Sequence, residues 1–376
     1  MVEFERRVLK TDRIDLVANT GKQVEVTLPR DKFIKAIILH QFGDYDAGTS
    51  PEPDAGDTRA TVPSVVGDLN LVRDGGQHLI SADWDLLAKM DYAEKAGMPM
   101  YQVPGAIDVA EQIWHSSLYL DFAIDPNNPE ESILQDEHGE LMTMMLPAMN
   151  YSSLKLTVDV DASLSATALA GLFGTAPTIA NATAYMDVTL VEAFLDSSDP
   201  ELTEEDVFEL RQTTITDVYG DNAIDEHPIN LTVGVLYRRF AIQALSAAAT
   251  PASFTYSAGV IAGTGTLKEY WVKQTSPVRW EIMHEMFDTS QQEDMQEYGL
   301  AASMEPRDDL IGTGSANLTD FMGIAKGFTI VDFDNGRTLN GAKDFTDLKS
   351  GDIQAIFKTV GGGAGNQIEL LEQYVV

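Results

Sequence analysis

The 376-residue chain contains no cysteine, which excludes disulfide frameworks, thiolate zinc sites and thiol catalysis together. Its six histidines, His40, His78, His115, His138, His227 and His284, stand apart in the sequence, so no clustered-imidazole metal site is predicted. No apolar run approaches about 18 residues, and no apolar segment follows the opening MVEFERRVLK. Neither a membrane-spanning helix nor a secretory signal is therefore predicted, and synthesis and folding in a cytoplasm are expected. Positive charge is scarce: 25 Lys and Arg stand against 59 Asp and Glu, a formal net charge of -34. A field of that sign repels nucleic acid and anionic lipid, so direct sequence-specific nucleic-acid binding is not expected. The acidity is spread along the chain instead of gathered in a tail. It reads as a surface adapted to high salt, where screening makes dense like charge tolerable.

What the sequence does contain is strand periodicity. SLKLTVDVD places Leu154, Leu156, Val158 and Val160 on one face and Lys155, Thr157, Asp159 and Asp161 on the other, the pattern of a half-buried antiparallel strand. The same alternation runs through QVEVTL (Val24, Val26, Leu28), SLYLDFAID (Leu118 to Ile124) and INLTVGVLY (Leu231, Val233, Val235, Tyr237). It returns in GDIQAIFKT (Ile353, Ala355, Phe357) and NQIELLEQYVV (Ile368, Leu370, Tyr374, Val376). Strands without regular intervening helices predict an all-β chain of sandwiches or barrels, not a parallel nucleotide-binding sheet.

The glycine pair in LVRDGGQHLISADWDLLAKM, Gly75-Gly76, raises the question of a phosphate cradle. A P-loop needs a lysine followed by Ser or Thr after its glycines, and a dinucleotide loop needs a third spaced glycine. Both are missing. LNLVRDGGQHLI reads as a strand broken by a turn, a hairpin or bulge that feeds a short covering helix with Ser81 as N-cap and Trp84, Leu87 and Ala88 on one face.

A similar unit is predicted about two hundred residues later. In LKEYWVKQTSPVRWEIMHEMF, a strand with Trp271 and Val272 would precede a helix capped by Ser276, opened by Pro277 and carrying Trp280, Met283 and Phe287. Trp84 and Trp280 then hold matching places, and strand-rich tails follow each. The polar segment LDSSDPELTEEDV, residues 195–207, has the composition of a junction, so residues 1–198 and 199–376 are expected to form two sandwiches.

Together these stretches carry a family resemblance: LNLVRDGGQHLISADWDLLAKM as strand, turn and helix, LPAMNYSSLKLTVDV and GFTIVDFDNGRTLNG as late strands, and the terminal DIQAIFKTVGGGAGNQIELLEQYVV. In layout across nearly the whole chain, they resemble the double jelly-roll major capsid proteins of tailless icosahedral viruses. The resemblance implies two consecutive eight-stranded jelly rolls and a homotrimer acting as a pseudo-hexagonal capsomer in a virion shell. It implies contacts with other capsid proteins and with an internal membrane where one is present. It also implies that the N-terminus lies on the inner face, where Arg6, Arg7, Lys10 and Arg13 would make contact. The competing reading is an ordinary solvated end.

Catalytic and metal readings are weaker. HEMFD at His284 lacks the second histidine of a zincin helix and reads as a helix-surface pair. EEDVFE holds Glu204, Asp206 and Glu209 at the spacing of a glucanase carboxylate set, but it sits in the acidic junction, so catalysis is not expected there and the triple change Glu204→Gln, Asp206→Asn, Glu209→Gln is expected to leave assembly intact. VDFDNG, with Asp332, Asp334 and Asn335, is too short for an EF-hand loop and reads as a turn. GGGAG at 361–365 opens no helix and reads as a link between strands. No cofactor, no metal and no enzymatic activity are expected. The alternative function is a secreted or virion-attached glycan-binding sandwich, which would expose aromatics over a groove.

Overall fold

The computed structural model describes residues 3–9, 13–46, 66–84, 86–87, 90–91, 101–102, 111–122, 133–135, 141–143, 145–160, 183–194, 209–219, 226–245, 255–257, 260–262, 266–276, 280–286, 290, 328–334, 342–360 and 366–376. They divide into two compact units, Met1–Arg211 and Gln212–Val376. The expected junction at 195–207 lies outside the described residues, as does GGGAG.

The first unit holds β1 (Glu3–Val8), β2 (Ile14–Asp15), β3 (Gln23–Thr27), β4 (Phe33–Asp46), β5 (Val66–Arg73), β6 (Gln77–Asp83), β7 (Tyr101–Gln102), β8 (Glu111–Asp121), β9 (Ile133–Gln135), β10 (Leu141–Thr143), β11 (Leu146–Pro147), β12 (Leu154–Val160) and β13 (Thr183–Phe194). One sheet runs β1-β13-β4-β8-β7, with β2 on β13 and β11 on β4; a second array runs β6-β5-β12-β3. Period-2 patterning becomes rows of side chains across each sheet. Leu190, Ile37 and Leu120 are register partners in the first, as are Val188, Leu39 and Leu118. Val26, Leu156, Leu71 and Ile80 line up across the second. All of these are buried, and each contributes about 1.5–3 kcal/mol of transfer free energy.

The glycine question resolves as structure. Residues 74–76 turn β5 into β6, with Asp74 at φ 51 and Gly75 at φ 78, a left-handed pair of the kind a tight hairpin needs. Asp74 accepts hydrogen bonds from the backbone N–H and the hydroxyl of Ser152 at 2.6 and 2.8 Å, which pins the turn to the start of β12. After β6, the described residues Trp84, Leu86, Leu87 and Met90 are helical and buried. Ser81, however, is a strand residue within β6, because its ladder to Asn70 continues to Asp83. Ala88 lies outside the described residues.

The second unit holds β14 (Leu210–Tyr219, whose first two residues belong to the first unit), β15 (Glu226–Asn230), β16 (Leu236–Leu245), β17 (Thr255–Ser257), β18 (Val260–Ala262), β19 (Thr266–Gln274), β20 (Trp280–Met286), β21 (Phe328–Asp332), β22 (Lys343–Asp344), β23 (Ile353–Val360) and β24 (Asn366–Val375). One array runs β21-β16-β24-β14 with β22 on β16, and a four-stranded sheet runs β15-β23-β19-β20. Its core joins Tyr237, Phe240 and Ile242 to Tyr270, Val272, Ala355, Phe357, Ile368 and Leu370. The four-stranded sheet ends at β15, where Pro228 faces Ile356 of β23.

Two expectations fail here. Trp280 to Met286 is a strand, not a helix, and pairs antiparallel with β19. The spacing of Trp280 and Met283 fits a helix turn, yet the sequence pairs as readily at period 2, and the neighbouring ladder of β19 decides. The matching of Trp84 with Trp280 therefore falls, since one is helical and the other lies in a strand. INLTVGVLY is likewise not one strand. β15 ends at Asn230, Gly234 turns at φ 80, and β16 begins at Leu236.

Candidate functional site

Among the described residues, no group of three His, Asp or Glu side chains is placed to hold a metal ion. The chemistry lies instead in charged clusters that tie strands together, and these absorb most of the residues singled out in the sequence.

The N-terminal basic residues lie along β1 and β2, which both pair with β13. The Arg7 guanidinium forms a two-pronged contact with Asp31 at 3.1 and 2.7 Å and reaches Glu192 at 3.0 Å. Lys32 bridges Glu5 at 3.0 Å and Glu192 at 3.6 Å. Hydrogen bonding from Arg7 holds Asp31 below the usual carboxylate range. Burial pushes Glu192 above it, against the pull of Arg7 and Lys32. Arg13 clasps Asp187 at 2.7 and 2.9 Å and lies over the Phe42 and Tyr185 rings. Arg6 is exposed, and Lys10 lies outside the described residues. The structure thus gathers Arg7 and Arg13 into pairs within the chain.

Lys35 and Asp121 form a buried pair at 3.0 Å, side chains 7% and 2% exposed. A bulge makes it possible: the β13–β4 register passes from Ala36 to Ile34, skipping Lys35, and a skipped residue is free to re-aim its side chain. The ammonium sits 5.8 Å from the Tyr119 ring centre, and burial, reinforced by Asp121, pushes the Tyr119 hydroxyl up to about 12.

Glu209, one of the three EEDVFE carboxylates, is held in a charged network. Its Oε1 lies 2.5 Å from Arg73 Nε and accepts from the Tyr151 hydroxyl at 3.4 Å, and its Oε2 accepts from Arg211. With Asp74 on the far side of Arg73 at 2.7 Å, the network ties the β5–β6 turn to the start of β14. Glu204 and Asp206 lie outside the described residues. Glu209→Gln is expected to destabilise the chain by about 1–3 kcal/mol, the scale for losing one partner of a charged, largely buried hydrogen bond, measured as a shift in the denaturant midpoint.

In the second unit, His284 belongs to a strand-surface pair rather than a helix-surface pair. Its Nε2 lies 3.0 Å from Glu269, its ring stacks on Trp271 at 4.6 Å, and Lys358 takes the other Glu269 oxygen at 2.9 Å. Asp334 of VDFDNG pairs with Arg238 at 3.1 Å, side chains 1% and 4% exposed. Asn335 lies outside the described residues. Glu372, 0% exposed, accepts from Thr232 and Tyr237. Sequence reasoning missed Glu192, Lys35, Arg238 and Glu372. The one available signal was a charge at an apolar beat of a strand, as at Glu372 between Leu370 and Tyr374. Trp84 and Trp271 are buried and form no exposed aromatic groove. The side chains of Trp114 and Trp280 are outside the described set.

No family model and no curated protein matches this sequence. Solved structures do. The chain is similar to the STIV MCP, from the Sulfolobus turreted icosahedral virus, at TM-score 0.67 and 16% identity, covering 100% of this chain and 97% of that one. It is similar to PBCV-1 VP54 at TM-score 0.56 and 12% identity, covering 100% and 94%. It is also similar to the major capsid protein P2 of bacteriophage PM2 at TM-score 0.51 and 10% identity, covering 100% and 97%. At these identities the likeness is one of fold, and the chain has the double jelly-roll fold of these viral capsid proteins.

Proposed function

We propose that the chain is a major capsid protein, a structural and non-catalytic subunit whose homotrimers tile an icosahedral virion shell. The observation that carries the proposal is the end-to-end structural match to the STIV MCP, 100% of this chain against 97% of that one. Two sandwiches per chain give a trimer six similar lobes, a shape that tiles as a hexagon. Clusters that knit neighbouring strands together, with no convergent catalytic set among the described residues, suit a building block. In this proposal, each jelly roll is the product of one half of the chain, other capsid proteins are partners, and the protein is made in the host cytoplasm. Inner-face contact to an underlying membrane narrows, among the described basic residues, to Arg6, because Arg7 and Arg13 are engaged within the chain.

Electron microscopy of the purified protein tests the proposal. Threefold particles with a six-lobed outline are expected. A monomer that binds immobilised glycans would favour the glycan-binding reading and overturn this one.

A further inference from the structure

Glu372 occupies a core position. Its register partner on β16 is Phe240, whose partner on β21 is Val331, and both are buried apolar residues. A carboxylate in such a row is stable only if its oxygens are satisfied. Oε1 accepts the Thr232 backbone N–H at 2.9 Å and the Tyr237 hydroxyl at 2.8 Å, and Oε2 accepts the Thr232 hydroxyl at 2.5 Å. All three donors are uncharged.

Tyr374, two residues along β24, stacks on Tyr237 at 6.4 Å, and its hydroxyl lies 3.5 Å from Thr213 of β14. Among the described residues, no Lys, Arg or His forms an ion pair with Glu372.

Thr232 belongs to the 231–235 turn, which carries the chain from β15 in one sheet to β16 in the other. The ends of the turn are held by backbone bonds, Leu231 N–H to the Ile353 carbonyl at 3.1 Å and Gly234 N–H to the Phe345 carbonyl at 2.9 Å. Glu372 holds its middle.

We propose that Glu372 is a proton-operated latch on the turn joining the two sheets of the second sandwich. Ionised, it grips Thr232 through backbone and side chain together. Protonated, one oxygen becomes a donor and one of the three incoming bonds is lost. The inference stands independently of the capsid proposal.

Two opposite pH effects follow. Burial raises the folded-state carboxyl above its ordinary value, although Thr232 and Tyr237 pull it down. A raised acid contributes stability that is fully present below the unfolded-state value and is lost as pH rises through the folded-state value. Global stability contributed by this group therefore falls as pH increases. The grip on Thr232 tightens over the same interval, because a charged acceptor makes the stronger bond.

The test uses the full chain, wild type and Glu372→Gln, with denaturant unfolding and amide exchange at Thr232, corrected for intrinsic rate, from pH 4 upward. The wild-type to variant ratio of unfolding constants is expected to rise with pH by up to about tenfold per unit for this one proton. Thr232 protection should rise over the same window in the wild type and stay flat in the variant. Parallel unfolding curves, or equal protection at every pH, would overturn the latch. Should Glu372→Gln fail to fold, Thr232→Val removes one donor to the ionised form and must move the transition to higher pH. An unmoved transition overturns the proposal equally.

Discussion

Light scattering across a salt series is expected to show the trimer gaining on the monomer as salt rises. Each chain carries a formal charge of -34, and bringing three together sets like charges against one another. Raising salt from 0.1 to 1 M shortens the screening length from about 10 Å to about 3 Å, which weakens that repulsion and leaves apolar contacts in place. Specific interfaces commonly bury above about 1,000 Å², so the apolar contribution is large enough to show once repulsion fades. A monomer at every salt concentration would refute the assembly. A trimer that dissociates as salt rises would refute the electrostatic explanation and point to ion pairs as its main glue.

Asp334→Ala is expected to be among the most damaging single changes in the second unit. Asp334 and Arg238 are almost fully buried, at 1% and 4% side-chain exposure, and meet at 3.1 Å. Removing one member of a buried ion pair costs about 3–5 kcal/mol. In a chain of this size that is a fall in melting temperature on the order of 10 °C. The double change Arg238→Met, Asp334→Leu should recover most of the loss, because apolar side chains of similar volume replace a buried pair with little penalty. Calorimetry of both variants checks the expectation. A double variant no better than Asp334→Ala would show that Arg238 has a separate structural role.

Much of the fold was legible because one-sided burial prints itself as alternation. In β12 the burial pattern follows Leu154, Leu156, Val158 and Val160 without exception, and in β23 Ile353, Ala355 and Phe357 are buried, with Ile356 buried beside them. Legibility failed where two periods share one segment. Trp280 and Met283 fit a helix until β19 supplies a ladder. It failed again where alternation runs through a turn, since Leu231, Val235 and Tyr237 are all buried although Gly234 breaks the strand between them. The charged clusters were invisible for a different reason. Lys35 and Asp121 are 86 residues apart, and Glu372 and Thr232 are 140 apart. A charge on an apolar beat marks Glu372 itself, but nothing local marks the partner in either pair. Glu209 was noticed for its spacing to Glu204 and Asp206, whereas its partners are Arg73 and Arg211.

The outer strand β15 has a consequence for crowding. At the edge of its sheet among the described residues, EHPIN would offer free backbone groups to any strand that drifted alongside wherever many identical copies are present at high concentration. Pro228 removes one N–H from that edge, and exposed Glu226 and Asn230 make it polar. An edge interrupted in this way is a poor template for a growing ladder. Newly made chains are thereby steered away from stacking sheet to sheet into insoluble ribbons, and they remain available to meet through their folded surfaces.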